Sequence, residues 1–344
     1  MSLSLDAPVE QQTNIIIVHL GEDLPHYIRD CLEQLRIWNS PEEVKIFLVT
    51  FPELIELLEP ICRDFSITFV STEALLPFQT ESHKYFLANY KNYDAAFRNG
   101  YWRFVIERFY YMEELMRSYK LTSAIHLEYD VMVYIDIAAL QTKFNEHIKG
   151  IALSFDNDSE GYPSFIIINS LGALELLNGF MAINCNAGLT DMRLLSAFRK
   201  VYPDQIESLP QISPTTYKEK PIRKSLSGIE AEGPTAYLAN KFEELGSVIF
   251  DSLVVGQYLC GVDPRNANGI CIIEYMNESA FYTVDDFGAL IWKQDDAKRW
   301  YLETAAGHRI VNIHVHSKRL SHFLSNRSDQ PKCDYTDVQL ARVK

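Results

Sequence analysis

Three short apolar runs near the start of the chain alternate with two segments of helical spacing. The runs are NIIIVHL (14–20), VKIFLVTF (44–51) and SITFVS (66–71), and the helical segments are 24–38 and 52–62. Continuous β-branched runs are typical of strands buried on both faces, and strands that alternate with helices favour a parallel sheet. The sequence therefore predicts an α/β fold in which helices flank a mostly parallel central sheet.

Later segments continue this alternation with longer interruptions. Further strands are predicted at 124–134, 150–155, 164–169, 247–250 and 309–317. Further helices are predicted at 102–119, 136–148, 170–183, 190–200, 235–245 and 252–259.

The length of 344 residues allows one large α/β domain or about two smaller domains. We expect a single domain over 14–325, with a frayed N-terminus at 1–13 and a flexible tail at 326–344. The Pro-, Ser- and Thr-rich segment 203–233 is a candidate lid, with a solvated surface loop as the alternative. Its positive charges are Lys218, Lys220, Arg223 and Lys224.

The chain is acidic, because 32 Lys and Arg face 46 Asp and Glu, for a formal net charge of −14. Such a balance gives no whole-molecule attraction for nucleic acid or anionic lipid, although a local basic patch can still bind phosphate. We therefore expect no nucleic-acid partner.

Targeting signals are also missing from the sequence. No apolar run approaches the roughly 18 residues that span a bilayer, and the start MSLSLDAPVEQQTN lacks the features of a signal peptide. The six cysteines form no C-x-x-C pair. We expect no transmembrane segment and a cytoplasmic location, with peripheral attachment to a membrane left open.

The segment SAIHLEYDVMVYID carries His126, Glu128 and Asp130 at alternate positions of a predicted strand. Alternate strand residues share a face, and carboxylates on a buried strand are unfavourable unless they are paired or bind a cation. Hard cations such as Mg²⁺ or Mn²⁺ suit such ligands. The spacing indicates a divalent-cation site, with a solvated edge strand as the alternative.

The segment RIVNIHVHS (309–317) places Asn312, His314 and His316 on one polar face. Imidazole is a common metal ligand and also an acid or base. Taken alone, core histidines that form hydrogen bonds explain this pattern better. Two strands that each offer ligand side chains favour one cation site between them.

Several common motifs are absent: GxxxxGK[ST], GxGxxG, HExxH and GxSxG. Their absence disfavours P-loop phosphoryl transfer, dinucleotide redox chemistry, zinc proteolysis and α/β-hydrolase chemistry. A parallel sheet with carboxylates for a cation, but without a glycine-rich loop, suggests a diphosphate held through a metal.

The helix GYWRFVIERFYYMEELMRSYKL followed by SAIHLEYDVMVYID resembles the core of GT-A nucleotide-sugar glycosyltransferases. In that superfamily an Arg-bearing helix precedes a strand that ends in a D-x-D-type metal motif, and Glu128-Tyr129-Asp130 stands here as an E-x-D variant. Segments 250–266 and 311–323 also look like parts of bacterial-type members. The resemblance covers about 14–325 and implies a GT-A (Rossmann-like) fold.

The resemblance implies a donor half at about 14–135 and an acceptor half at about 150–325. The implied activity is metal-dependent transfer of a sugar from a UDP- or GDP-linked donor to a hydroxyl of a glycan, lipid-linked or protein acceptor. Mn²⁺ or Mg²⁺ would be held by Glu128 and Asp130, with His314 or His316 completing the ligand shell.

The resemblance also implies residues that contact the donor: His19, Gly21, Arg98, Arg103, Glu128, Asp130 and Lys318. For the two arginines, an ordinary salt bridge on the helix surface is the alternative. A literal D-x-D, Asp156-Asn157-Asp158, also follows a predicted strand. We interpret it as part of an acceptor-side loop and not as the metal motif.

An inverting transfer needs a base near the acceptor hydroxyl, whereas a retaining transfer does not. Asp251 follows a predicted strand and opens a helix, so it is a candidate base, with a helix N-cap as the alternative. Gln257 and Asp263 are further candidates on the Asp251 segment, and Asp156 and Asp158 are alternatives on the presumed acceptor side.

Two other functions remain open from the sequence. A sugar-nucleotide nucleotidyltransferase needs a glycine-rich, basic loop after the first strand, but HLGEDLPH is acidic and has one glycine. A non-catalytic nucleotide- or carbohydrate-binding protein on a GT-A scaffold would show no turnover that depends on a divalent cation.

Overall fold

The computed structural model describes residues 12–91, 97, 100–220, 223–226, 228–261 and 279–331. Its strands are β1 (Thr13–His19), β2 (Val44–Thr50), β3 (Ile67–Ser71), β4 (Ala124–Leu127), β5 (Val131–Val133), β6 (Ile151–Asn157), β7 (Glu160–Ile168), β8 (Ile206–Ser208), β9 (Leu290–Gln294), β10 (Trp300–Thr304) and β11 (Asn312–His314). Its helices are α1 (Ile28–Trp38), α2 (Ile55–Asp64), α3 (Glu81–Asn89), α4 (Tyr101–Tyr119), α5 (Ala138–His147), α6 (Leu171–Ile183), α7 (Asp191–Val201), α8 (Pro214–Glu219) and α9 (Val254–Cys260).

Seven strands form the central sheet in the order β3-β2-β1-β4-β7-β6-β8. β1 to β4 run parallel to one another, β7 is antiparallel to both β4 and β6, and β8 is parallel to β6. The prediction of an α/β fold with a mostly parallel central sheet flanked by helices is confirmed.

Both faces of the sheet are buried, as the continuous apolar runs predicted. In β1, Ile15 and Ile17 pack in the cluster that contains α1, whereas Ile16 and Val18 pack in the cluster that contains α4 and α6. The sheet therefore separates two hydrophobic layers, and its strands have no solvated face near β1.

The strand predicted at 124–134 is divided, and this prediction was wrong. β4 ends at Leu127, the Val131 amide donates to the Glu128 carbonyl oxygen (3.1 Å), and β5 pairs with β11 outside the central sheet. Glu128 and Asp130 therefore lie in a turn and not on a strand face. His126 is enclosed within the sheet, where its Nδ1 lies 2.9 Å from the carbonyl oxygen of Ile16.

Other elements also differ from the predictions. The strand predicted at 309–317 is limited to β11, the segment 247–250 contributes only a bridge between Ile249 and Ile310, and a short 3-10 turn at Ala236–Ala239 replaces the helix predicted at 235–245. The pattern did not reveal α3, α8, β8 or the β9–β10 hairpin. These elements are short, so local periodicity is weak.

The candidate lid 203–233 contains β8 and α8 and is anchored in its middle. Arg223 is buried, its Nη2 donates to the Thr216 carbonyl oxygen (3.0 Å), and its Nη1 lies 3.5 Å from Asp286. A lid function for this segment stays a prediction. Most of the predicted frayed N-terminus and of the predicted tail lies outside the described residues, and β1 begins at Thr13. No helix in the described part of the chain has the length and apolar character to cross a membrane.

Helices α3 and α4 are joined by a buried histidine between two glutamates. His83 Nδ1 lies 2.7 Å from Glu114 Oε1, and His83 Nε2 lies 3.4 Å from Glu107 Oε1. Burial alone would lower the pKa of His83, but its hydrogen bonds to Glu107 and Glu114 raise it above the ordinary 6.5. Burial also raises the pKa of Glu114.

We expect the free energy of unfolding to fall as the pH rises from 6.5 through the raised pKa of folded His83. The folded state binds the proton more tightly than the unfolded state, which contributes about 1.4 kcal/mol per unit of pKa difference at lower pH. Urea unfolding at a series of pH values measures this slope. His83→Gln should flatten it, and an unchanged slope would show that another group is responsible.

Candidate active site

Three potential metal ligands meet at the carboxyl end of β4. Glu128 and Asp130 lie in the turn between β4 and β5, and His314 is the last residue of β11, which pairs with β5. One ligand atom from each of the three lies within 4.8 Å of the others. The carboxyl ends of parallel strands are where open α/β sheets bind their ligands.

A cavity of about 660 Å³ adjoins this cluster. The predicted donor-contacting residues that line it are His19, Gly21, Glu128, Asp130 and Lys318. The predicted metal ligand His316 lines it as well. The remaining lining residues include Glu22, Asp23, His26, Tyr27, Tyr101, Arg108 and Tyr129. The structure thus brings together the end of β1 and the turn after β4.

The side chain of Glu128 forms a salt bridge with Arg108 of α4. The Arg108 guanidinium contacts Glu128 Oε1 closely and donates from Nη2 to Asp191 Oδ2 at 2.6 Å. Arg108 and Asp191 are buried, so the guanidinium is shared between two carboxylates in a low-dielectric environment. Such pairing satisfies the charges that burial would otherwise destabilise.

Asp130 has a separate partner. Its Oδ2 contacts the Lys318 ammonium and lies 3.2 Å from His314 Nε2. Burial opposes ionisation of Asp130, but Lys318 and His314 hold its pKa well below the usual range. Burial alone would lower the pKa of His314, and the charge of Asp130 raises it above 6.5.

The main chain of His314 is positioned by Asp251. Asp251 Oδ2 accepts from the amides of Gly256 (2.8 Å) and His314 (3.2 Å), and Oδ1 accepts from the Val255 amide (2.9 Å). Burial raises the pKa of Asp251 to about 6. These contacts are those of a helix cap that also holds β11, and Asp251 does not line the cavity.

The literal D-x-D motif diverges from the cluster. Asp156 is buried, its Oδ1 contacts the Ser252 hydroxyl, and burial raises its pKa to about 8. Asp158 accepts from the Glu232 amide (3.0 Å) and lies 3.7 Å from Arg199 in a different cleft. Neither residue lines the cavity beside Glu128 and Asp130.

Of the two predicted arginines, only Arg103 lies among the described residues. Arg103 donates from Nε to Glu107 Oε2 (2.8 Å) and does not line the cavity, whereas Arg98 and Asp263 lie outside the described residues. Sequence reasoning missed Arg108. It lies among the buried residues Val105, Phe109 and Met112, and a charge on the apolar stripe of a helix is a readable signal of a buried ion pair.

The cluster fits a divalent cation. Its donor set is two carboxylates and one imidazole, and Asp130 Oδ1 is one of several buried polar atoms of the described residues that have no hydrogen-bond partner. Buried polar atoms are normally satisfied. Oxygen ligands with one imidazole suit Mn²⁺ or Mg²⁺.

No protein-family model matches this chain, and no curated protein matches its sequence. Among solved structures, apo mouse xyloside xylosyltransferase 1 matches with a TM-score of 0.44 and 11% identity, over 61% of this chain and 92% of that one. The galactosyltransferase LgtC in complex with donor and acceptor sugar analogues matches with a TM-score of 0.39 and 9% identity, over 60% of this chain and 78% of that one. A cytidylyltransferase from Leptospira borgpetersenii matches with a TM-score of 0.36 and 11% identity, over 58% of this chain and 77% of that one.

We expect Arg108→Met to lower the free energy of unfolding by about 3–5 kcal/mol, because it leaves Glu128 and Asp191 as unpaired carboxylates near the core. Urea unfolding provides the measurement. Arg29→Met is the matched control, since Arg29 and Asp64 form an exposed pair whose loss should change stability by about 0–1 kcal/mol. Equal effects of the two substitutions would contradict the role of Arg108.

Gly256→Ala should disturb the same region from the opposite side. A Cβ at Gly256 would lie 2.0 Å from the carbonyl oxygen of His314, so β11 or α9 must shift, at about 1–3 kcal/mol or more. Gly172→Ala is the control, because the nearest atom to its Cβ is 3.7 Å away. Thermal melting should show a loss of stability only for Gly256→Ala.

Proposed function

We propose that this chain is a metal-dependent glycosyltransferase of the GT-A type. It would move a sugar from a nucleotide-diphosphate sugar to a hydroxyl of a glycan, lipid-linked or protein acceptor. We further propose a UDP- or GDP-linked donor and a cytoplasmic enzyme, attached peripherally to a membrane if its acceptor is lipid-linked.

The cluster of Glu128, Asp130 and His314 carries this proposal. It stands at the carboxyl edge of a parallel sheet and beside a cavity of about 660 Å³, which is within the range of small-molecule sites. The order of elements that leads to it, an Arg-bearing helix followed by E-x-D, is the one that resembles GT-A enzymes.

Glu128, Asp130 and His314 would hold Mn²⁺ or Mg²⁺. When bound, the ion supplies positive charge that offsets the negative charge developing on the leaving nucleoside diphosphate. Arg108 orients Glu128 through the contact with Oε1. Asp251 accepts from the His314 amide, and Gly256 packs closely against the His314 carbonyl.

The end of β1 offers surfaces for the nucleoside. Tyr27 and Tyr129 lie with ring centroids 5.9 Å apart, and His19 meets the Tyr129 ring edge-on at 5.1 Å. Burial lowers the pKa of His19, so its imidazole is neutral near pH 7. Planar rings of this kind suit a nucleobase, and Lys318, which also lines the cavity, suits a phosphate oxygen.

The catalytic base that an inverting transfer would need stays a proposal. Among the described residues, the carboxylate candidates are Asp251, Asp156 and Asp158. The geometry supports a positioning role for Asp251, because backbone amides occupy both its carboxylate oxygens. Asp156 is buried with Ser252, and Asp158 faces Arg199. A retaining transfer would need none of the three.

We expect Asp130→Asn to weaken the Mn²⁺-dependent binding of UDP and GDP. Loss of a partner behind a metal ligand typically costs 10–100-fold in metal affinity, so loss of a direct ligand should cost at least about 100-fold. Calorimetric titration with and without Mn²⁺ measures the effect. Asp158→Asn is the control, since Asp158 is the second acid of the literal D-x-D.

The reaction is then tested by following the products. When Mn²⁺ is present, a glycosyltransferase transfers the sugar of the sugar nucleotide to an acceptor hydroxyl or to water. In both cases it releases the nucleoside diphosphate. Formation of pyrophosphate from a nucleoside triphosphate and a sugar phosphate would instead identify a nucleotidyltransferase. Binding without any turnover would favour a non-catalytic binding protein, and unchanged nucleotide affinity in Asp130→Asn would refute the metal assignment.

A further inference from the structure

Lys318 is the counter-charge of a carboxylate that the proposed cation also needs. Its ammonium contacts Asp130 Oδ2, while Asp130 Oδ1 faces no hydrogen-bond partner in the described part of the chain. The Asp130 side chain is 9% exposed and that of Lys318 is 15% exposed. The pair is therefore largely removed from solvent.

Charge in this cluster is partly balanced by the protein itself, because two basic side chains face three carboxylates. Arg108 compensates Glu128 and Asp191, and Lys318 compensates Asp130. A divalent cation bound to Asp130 would lie next to the ammonium of Lys318. Like charges in close proximity repel each other strongly where little water screens them. The cation and the ammonium are therefore competing partners of one carboxylate.

Lys318 combines a hydrogen-bonded backbone with a long side chain. Lys318 has a left-handed conformation (φ 65°), and its amide donates to the Val315 carbonyl oxygen at 3.0 Å. The flexible four-carbon stem of lysine carries a compact charge. Lys318 also lines the cavity, with its ammonium 5.9 Å from the centre of the Tyr27 ring.

We propose that Lys318 is an internal cation that occupies Asp130 until a divalent ion binds, and that the displaced ammonium then becomes a ligand for the phosphate groups of the donor. This inference rests on the proposed function. It makes the binding of metal and nucleotide cooperative, because the metal frees the positive charge that the nucleotide uses.

Lys318→Met tests the competition, because the two ligands should respond in opposite directions. Mn²⁺ alone should bind tighter than to the wild type, and UDP at saturating Mn²⁺ should bind more weakly, each by a factor on the order of ten. Calorimetry on the full chain measures both. Lys318→Arg retains the charge and should leave Mn²⁺ affinity near that of the wild type.

Lys293→Met is the matched control, because Lys293 pairs with Glu303 outside both the cavity and the candidate lid. It should change neither affinity. If Lys318→Met binds Mn²⁺ no more tightly than the wild type does, the inference is overturned, whether or not the chain proves to be a glycosyltransferase. Tighter Mn²⁺ binding without any nucleotide binding would support the competition and refute the proposed function.

Amine labelling of the wild-type protein gives a second measurement that needs no variant. The acetylation rate of Lys318, read by peptide mass spectrometry, should rise on adding Mg²⁺ because the ammonium leaves Asp130. Lys84, which pairs with Glu81 on α3, should label at the same rate with and without the ion. A rate for Lys318 that Mg²⁺ leaves unchanged or lowers would overturn the inference.

Discussion

The arrangement at the edge of the sheet depends on the compensation of buried carboxylates. Glu128 and Asp130 follow the end of β4, and Asp191 begins α7. A carboxylate in such a largely buried place destabilises the fold unless a positive group reaches it. Arg108 comes from the helix beneath the sheet and Lys318 from the segment after β11. The turn between β4 and β5 keeps its shape because charges from both sides fix it.

Helix α4 links this turn to the rest of the molecule. Arg108 lies on the side of α4 that faces the sheet, and Glu107 and Glu114 hold His83 of α3 on another side. Arg103 in turn pairs with Glu107. Helix α4 therefore contributes side chains to two buried polar networks, one at the site and one at the interface with α3. Both networks determine its position.

The sequence predicted the central sheet well, because buried strands such as β1 have an apolar pattern that is local and continuous. It misjudged the segment from Ala124 to Tyr134, since Val131–Val133 has strand character and nothing local shows that these residues pair with β11 instead of extending β4. Glu128, Asp130 and His314 could be picked out from the sequence as candidate metal ligands, and the structure brings one ligand atom of each within 4.8 Å of the others. The contacts that hold them depend on Arg108 and Asp251, whose partners are distant in the sequence.

Asp251 is a second residue whose contacts could not be predicted from the local sequence. A carboxylate at the start of a helix fits both a base and a cap, and only the positions of the Gly256 and His314 amides distinguish them. Position 256 illustrates the point further, since the contact that requires glycine there is with a strand nearly sixty residues later in the chain.

The ammonium of Lys318 on Asp130 and the guanidinium of Arg108 on Glu128 bear on how folding and metal binding would be related. Because basic side chains of the chain itself already lie on these two carboxylates, the proposed site would not need an ion in order to fold. The ion would then bind to a chain that is already folded, unlike a structural metal that a small domain needs for folding.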